Sequence, residues 1–237
     1  MLELLQFGPD GWGDELVRGA GMTLLVGLGG FALGNAIGIL GALGMLSRIL
    51  ALRVFITAYT TAVRGVPELL IIYLLFFGGS EALMRLAGIF GLAGNMSADA
   101  LLAGVLSIAI ITGAYSTEVI RGALAAIPAG QLEAGQAFGM SPATAFRLIR
   151  LPQLMRFALP GLGNLWQNVL KDTALISVIS LAELMRVTHL GAGSTHRPFL
   201  FYGMAIALYL GLTALSNGVF DQAERRFNRG VRSVARS

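Results

Sequence analysis

Residues 121–160 read RGALAAIPAGQLEAGQAFGMSPATAFRLIRLPQLMRFALP, a polar interval between two long apolar stretches. It carries four arginines, Arg121, Arg147, Arg150 and Arg156. Pro128 suits the first turn of a short helix, where a missing N–H costs nothing. The run QLEAGQAF continues that helix, and Gly139 can take the left-handed conformation that ends one. Ser141 then caps a second helix with Pro142 at its first position, and the step Leu151-Pro152 is expected to stop it. The interval therefore predicts a compact pair of capped helices standing in water on one side of a membrane-embedded chain. Small residues (Ala134, Gly135, Ala137) around one large one, Phe138, suit insertion into a groove on another protein. A structured interfacial loop would leave the same spacing, so spacing alone does not separate the two.

The rest of the chain supplies the membrane. Of 237 residues 55% are hydrophobic and 13% charged, with a mean hydropathy of +0.73, far too apolar for a soluble domain of this size. There is no cysteine, so neither a disulfide nor a thiolate metal site is available, and two histidines, His189 and His196, make no metal site alone. The net charge of +4 does not point to nucleic acid, because the arginines sit at the ends of apolar stretches and in the tail rather than on one soluble face. The first twenty residues lack a basic region before an apolar run and carry Glu3, Asp10, Asp14 and Glu15, which is not the pattern of a cleaved signal peptide.

Working outward, five spans are expected, at about 20–46, 54–79, 99–121, 157–180 and 199–220, each long enough for a hydrocarbon core of about 30 Å. An external arm of residues 1–19 precedes a membrane domain at 20–220. The polar loop lies at 121–156 and a basic cytoplasmic tail at 221–237. Gly30, Gly34 and Gly38 recur every fourth residue in the first span, with Gly27 and Gly41 adding to a small surface that lets a second helix come close. Pro67 in the second span should kink or break it, which at membrane depth is tolerated where the break lines a cavity or is covered by protein. Residues 80–98 are expected as an external loop, and residues 181–198 as a polar connection. With five spans the termini lie on opposite sides. The first loop, the polar knob and the tail hold eleven arginines against four on the other face. That places the knob and C-terminus in the cytoplasm and the N-terminus outside.

Ionisable groups inside a span need a partner, a wet cavity or a function. Arg64 and Glu68 are four apart and share a face of a regular helix. They could form an internal pair that fixes the kink, or Glu68 could meet a cationic part of a substrate. Glu118 and Arg121 read as a structural pair at the entry to the knob. Lys171 and Asp172, being adjacent, point different ways and should meet another helix or a wet cavity. Trp166 reads as a packing residue. No phosphate-binding Gly-x-x-x-x-Gly-Lys-Ser/Thr string is present. If the knob couples to ATP, the nucleotide site belongs to another polypeptide.

Through Glu133-Ala134, Gly139 and Leu151-Pro152, residues 121–160 resemble the loop by which permeases of ATP-binding-cassette (ABC) transporters dock on their ATPase, and the extended string GAYSTEVIRGALAAIPAGQLEAGQAFGMSP, then LPQLMRFALP and LKDTALIS, is similar to one branch of those permeases. Gly135 stands where that family usually has a second alanine. Over roughly Gly19 to Arg232 the chain is similar to the polar amino-acid permeases, in particular the histidine/lysine/arginine and opine branch. The resemblance implies an all-α, five-span, MetI-like fold. It implies a permease subunit of an importer for basic amino acids or opines, with neutral polar amino acids as the alternative. The loop residues Glu133, Ala134, Gly135, Phe138 and Gly139 would then contact the ATPase subunits. VRGVPEL matches the family's R-G-x-P pattern, so Glu68 would contact the substrate's positive group, with Arg64 beside it. The implied partners are two ATPases, a second permease alike or different, and a soluble binding protein outside a bacterial inner membrane; no cofactor is implied. An ion-coupled secondary transporter would instead show duplicated halves with paired broken helices, and the sequence has one Pro-interrupted span and no duplicated half.

Overall fold

The structure, a computed structural model, describes residues 3–8, 11–79, 96–179 and 181–228. Those residues are helical and contain no strand. The helices are α1 (Gly13–Met45), α2 (Leu50–Gly65), α3 (Glu68–Tyr73), α4 (Met96–Ala125), α5 (Ala129–Ala137), α6 (Pro142–Ala145), α7 (Leu151–Asp172), α8 (Leu184–Thr195) and α9 (Pro198–Phe227). Most of the expected loop at 80–98, with Glu81, Arg85, Gly94 and Asn95, and the tail beyond residue 228 lie outside the described residues.

Among the described residues, three helices are long and apolar enough to cross a membrane: Gly13–Met45, Ala100–Ala125 and Pro198–Phe227. Two bent pairs raise the number to five if each is one span: Leu50–Gly65 with Glu68–Gly78, bent by 111°, and Pro142–Ile179 with Leu184–Thr195, bent by 54°. α1 begins seven residues before the expected start at 20, so much of the predicted arm is helix. Asp14 and Glu15 fill its first turn, where negative charge complements the helix dipole. The predicted connection at 181–198 is mostly α8, which packs against α1 and α9.

The bundle is organised by the seam between α1 and α4. A methyl built on Gly34 would stand 2.6 Å from Thr112 Cβ, and one on Gly38 2.5 Å from Ser116 Cβ. Gly30 and Gly41 are equally closed by Ile108 and Thr117. The fourfold spacing is therefore a steric demand, since each glycine leaves room for a β-branched or hydroxyl side chain of α4. Asn35 lies in the same seam, accepting from the Ser116 hydroxyl at 2.7 Å and donating to the Phe31 carbonyl at 2.8 Å. Behind the seam, Val26, Ile108, Ile111, Trp166, Leu170 and Ile176 form the buried core. Trp166 is 4% exposed and meets Phe31 edge to face, the packing role expected of it.

The helix that starts at Ser141 does not stop at Pro152. Pro152 cannot donate to the carbonyl four residues back, and its ring crowds that carbonyl. Here the turn just before it, Phe146–Arg150, widens into π-helix geometry, and Arg150 remains helical at φ −75° and ψ −49°. The wider turn removes the conflict. α6, the π turn, α7 and the 3₁₀ turn Thr173–Ile179 follow one another without a gap.

Candidate functional site

The break in the second span falls on Val66-Pro67, both extended, with Glu68 opening α3. The sharp bend turns Glu68 toward α4, where Tyr115 donates its hydroxyl to Glu68 Oε1 at 3.1 Å. Arg64 lies over the Tyr115 ring at 5.7 Å. Arg64 and Glu68 do not pair: the break destroys the regular helix that would have put them on one face. The two predicted site residues are thus brought together through Tyr115, which the sequence reading did not single out.

A cavity of about 360 Å³ opens here, lined by Glu68, Ile111, Thr112, Tyr115, Leu165, Asn168, Lys171 and Asp172. Lys171 and Asp172 come from the end of α7, so each faces this wet cavity, one of the options the sequence offered. The hydroxyl of Thr112 is buried without a hydrogen-bond partner among the described residues. The cavity therefore combines two carboxylates, one ammonium, a phenol, an amide and a spare hydroxyl. Such a set can hold a molecule bearing both a cation and an anion, the cation between carboxylates and the anion on Lys171.

The knob forms as the sequence specified in most respects. Pro128 is the residue before α5 rather than within its first turn, and its carbonyl accepts from Gln131 N at 3.2 Å. Gly139 has φ +78°, the left-handed stop between α5 and α6. Ser141 Oγ accepts from Thr144 N at 3.2 Å, as an N-cap should. Glu133, Ala134 and Gly139 are exposed, and Phe138 is 87% exposed. Gly135 is buried, and a methyl there would meet Ile149 Cδ1 at 2.8 Å, so it packs the knob's two helices together. Gln153 fastens the same junction, donating to Gln131 Oε1 at 2.6 Å and to the Ile149 carbonyl at 2.9 Å. Glu118 and Arg121 form the expected pair at 2.6 Å.

Sequence reasoning missed Glu183. It is fully buried and accepts from the backbone of Met185 at 2.9 Å and Arg186 at 2.7 Å, capping α8. Thr23 of α1 and Tyr209 of α9 also donate to it, at 3.4 and 3.3 Å. An acidic residue just before an apolar-periodic run was the available signal. His189 stands 3.3 Å from the Tyr202 hydroxyl, and His196 ends α8 at φ 54°; both are exposed.

Residues 34–229 match the family model described as "Binding-protein-dependent transport system inner membrane component". The chain is 50% identical over 229 residues to the octopine transport system permease protein OccQ of Agrobacterium tumefaciens (strain Ach5), covering 97% of both chains. It is 40% identical over 222 residues to the histidine/lysine/arginine/ornithine transport system permease protein HisQ of Escherichia coli (strain K12), covering 94% of this chain and 97% of that one. A crystal structure of an amino acid ABC transporter with histidines is similar at a TM-score of 0.75 and 31% identity, covering 91% of this chain and 95% of that one.

Proposed function

The chain belongs to the family of binding-protein-dependent transport system inner membrane components, transport subunits that are not themselves enzymes, and from that premise we propose that it carries a basic amino acid or an opine. The supporting observation is the pair of carboxylates, Glu68 and Asp172, in one cavity beside a broken span. The substrate's cationic group sits against Glu68 and Asp172, and its carboxylate against Lys171. The relatives named for octopine and for histidine, lysine, arginine and ornithine agree with that chemistry.

The cavity is completed by a second permease. Arg64, Asn168 and Lys171 are exposed on this chain. Charged groups at membrane depth avoid lipid and face a partner or water, so this side meets a path shared with another permease, alike or different. Glu133, Ala134, Phe138 and Gly139 form the face that enters the ATPase, with Gly135 holding that face in shape. The knob and C-terminus are cytoplasmic, the N-terminus is external, and a soluble binding protein delivers from outside.

The continuous helical run links these parts. It begins at the knob, at Pro142, and α7 ends at Lys171 and Asp172, about 45 Å away at 1.5 Å per residue. On the other side of the knob, α4 carries Thr112 and Tyr115. ATPase closure that tilts the knob therefore moves Asp172 relative to Glu68, and access to the cavity changes with it.

The test is uptake by the complex, reconstituted with its ATPase and binding protein, for arginine, lysine and octopine against glutamine. Preference for the cationic substrates, lost in Glu68→Gln, is the expected result. Equal or greater uptake of glutamine by the wild type would instead favour a neutral polar substrate.

A further inference from the structure

A second, larger cavity lies between the knob and the bundle. It measures about 540 Å³ and runs between the C-terminal half of α1, the end of α4, the π turn, the first half of α7 and Phe220 of α9. That size is within the range of small-molecule sites. Its lining is apolar except for Asn35 and Arg150, and no carboxylate contributes to it. Asn35 uses its amide within the α1–α4 seam. Arg150 Nε is buried without a hydrogen-bond partner among the described residues. Leu43, Leu46 and Phe146 line the cavity and are 57%, 56% and 47% exposed, so it opens as a groove on the outside of the bundle.

We propose that this groove holds an acyl chain of an anionic phospholipid, with the lipid phosphate on the Arg150 guanidinium. The occupant has to be long and apolar and to end in negative charge. The apolar walls offer nothing to a polar solute, and the single cation at the knob end has no carboxylate to answer it. Arginine suits a phosphate because its planar fork donates two parallel hydrogen bonds. A basic pocket between spans at a membrane face is a recurring setting for anionic headgroups. Of the other arginines nearby, Arg121 pairs with Glu118 and Arg156 lies over the Phe157 ring at 5.6 Å, and neither these nor Arg147 line the groove. The groove touches the π turn, where the knob joins α7, so the bound lipid wedges the joint through which the knob moves.

The test uses the intact permease–ATPase complex in nanodiscs of equal phosphatidylglycerol and phosphatidylcholine, released for native mass spectrometry. The wild type is expected to retain one phosphatidylglycerol per permease chain, at least about fivefold over phosphatidylcholine. Arg150→Gln should reduce phosphatidylglycerol retention to the phosphatidylcholine level, Arg150→Lys should keep most of the preference, and Leu43→Trp should fill the groove and lose both lipids. Undiminished phosphatidylglycerol retention in Arg150→Gln, or no headgroup preference in the wild type, would overturn the proposal. If Arg150→Gln fails to assemble, Leu43→Cys decides, since the chain has no other cysteine. A nitroxide attached there should be broadened by spin-labelled phosphatidylglycerol. A crosslink from that cysteine to the neighbouring permease would show that protein, not lipid, covers the groove.

Discussion

Tyr115 donates to Glu68 at 3.1 Å, joining α4 to the broken span at its most bent point. The phenol holds one oxygen of a carboxylate that lines the cavity. In the proposed substrate site Glu68 is therefore oriented in advance, which lowers the cost of ordering it on binding.

Glu68→Gln should raise the half-saturating concentration for arginine or lysine by about tenfold or more, since a charged hydrogen bond is worth about 1.5–3 kcal/mol and each 1.4 kcal/mol is a factor of ten. Tyr115→Phe should have a smaller effect of the same sign, because it frees the carboxylate without removing it. Substrate-stimulated ATP hydrolysis by the reconstituted complex measures both. Unchanged kinetics in Glu68→Gln, with the complex intact, would remove Glu68 from the substrate site.

Gly34→Leu and Gly38→Val should each separate α1 from α4. The space is already filled by Thr112 and Ser116 at 2.6 and 2.5 Å from a single added carbon. Overpacking of this kind costs about 1–3 kcal/mol. The expected readout is a lower midpoint of thermal unfolding in detergent, whereas Gly21→Ala, which meets nothing within 4 Å and gains helix propensity, should not lower it.

Glu183→Gln should destabilise the bundle although it preserves shape. Four donors converge on this carboxylate, from Met185, Arg186, Thr23 and Tyr209. An amide replaces one acceptor with a donor, leaving buried groups facing each other unpaired at about 1–3 kcal/mol. Thermal unfolding again measures it, and Glu183→Ala should cost more, because it also removes the cap of α8.

What the sequence disclosed and what it concealed divide by range. Gly139, Ser141 and Pro67 act through bonds to their immediate neighbours, so the turn, the cap and the break were readable from spacing. The glycine seam was readable because a fourfold repeat of the smallest residue serves close packing. Glu183 was hidden in a polar-looking segment, since its partner Thr23 stands 160 positions away. The grouping of Lys171 and Asp172 with Glu68 depends on how the bend turns α3, which no local pattern encodes. Pro152 misled because its usual effect is to end a helix. The π turn that absorbs it shows in the backbone alone.

The proposed docking face can be tested separately from the fold of the knob. Glu133→Lys reverses charge at an exposed position and should abolish uptake while the permease still inserts and the knob still folds. Gly139→Val should damage the knob itself, because a β-branched residue at φ +78° costs about 1–2 kcal/mol or more; Gly139→Asn, tolerant of that region, should retain part of the activity. Uptake assays paired with co-purification of the ATPase distinguish the cases. Normal uptake by Glu133→Lys would count against docking through this face.

The continuity of the run from Pro142 to Asp172 makes the sharpest demand. If this rod carries the force of ATPase closure, softening it at the π turn should uncouple the two activities without breaking either. Leu148 is 61% exposed there, and Arg147 beside it is exposed too. Replacing both by glycine removes little packing but adds about 1 kcal/mol of helix-breaking tendency per residue. The double variant should still bind the ATPase through the intact α5 face and still hydrolyse ATP. It should move several-fold less substrate per ATP, because the bend is taken up at the joint and does not reach Asp172. Alanine at both positions, which keeps the helix stiff, should restore the ratio. A glycine variant that transports with wild-type stoichiometry would mean that force reaches the cavity by the other arm of the knob, along α4 to Tyr115. In that case glycine at Leu124 and Ala125, beside the existing Gly122, would be the pair that uncouples.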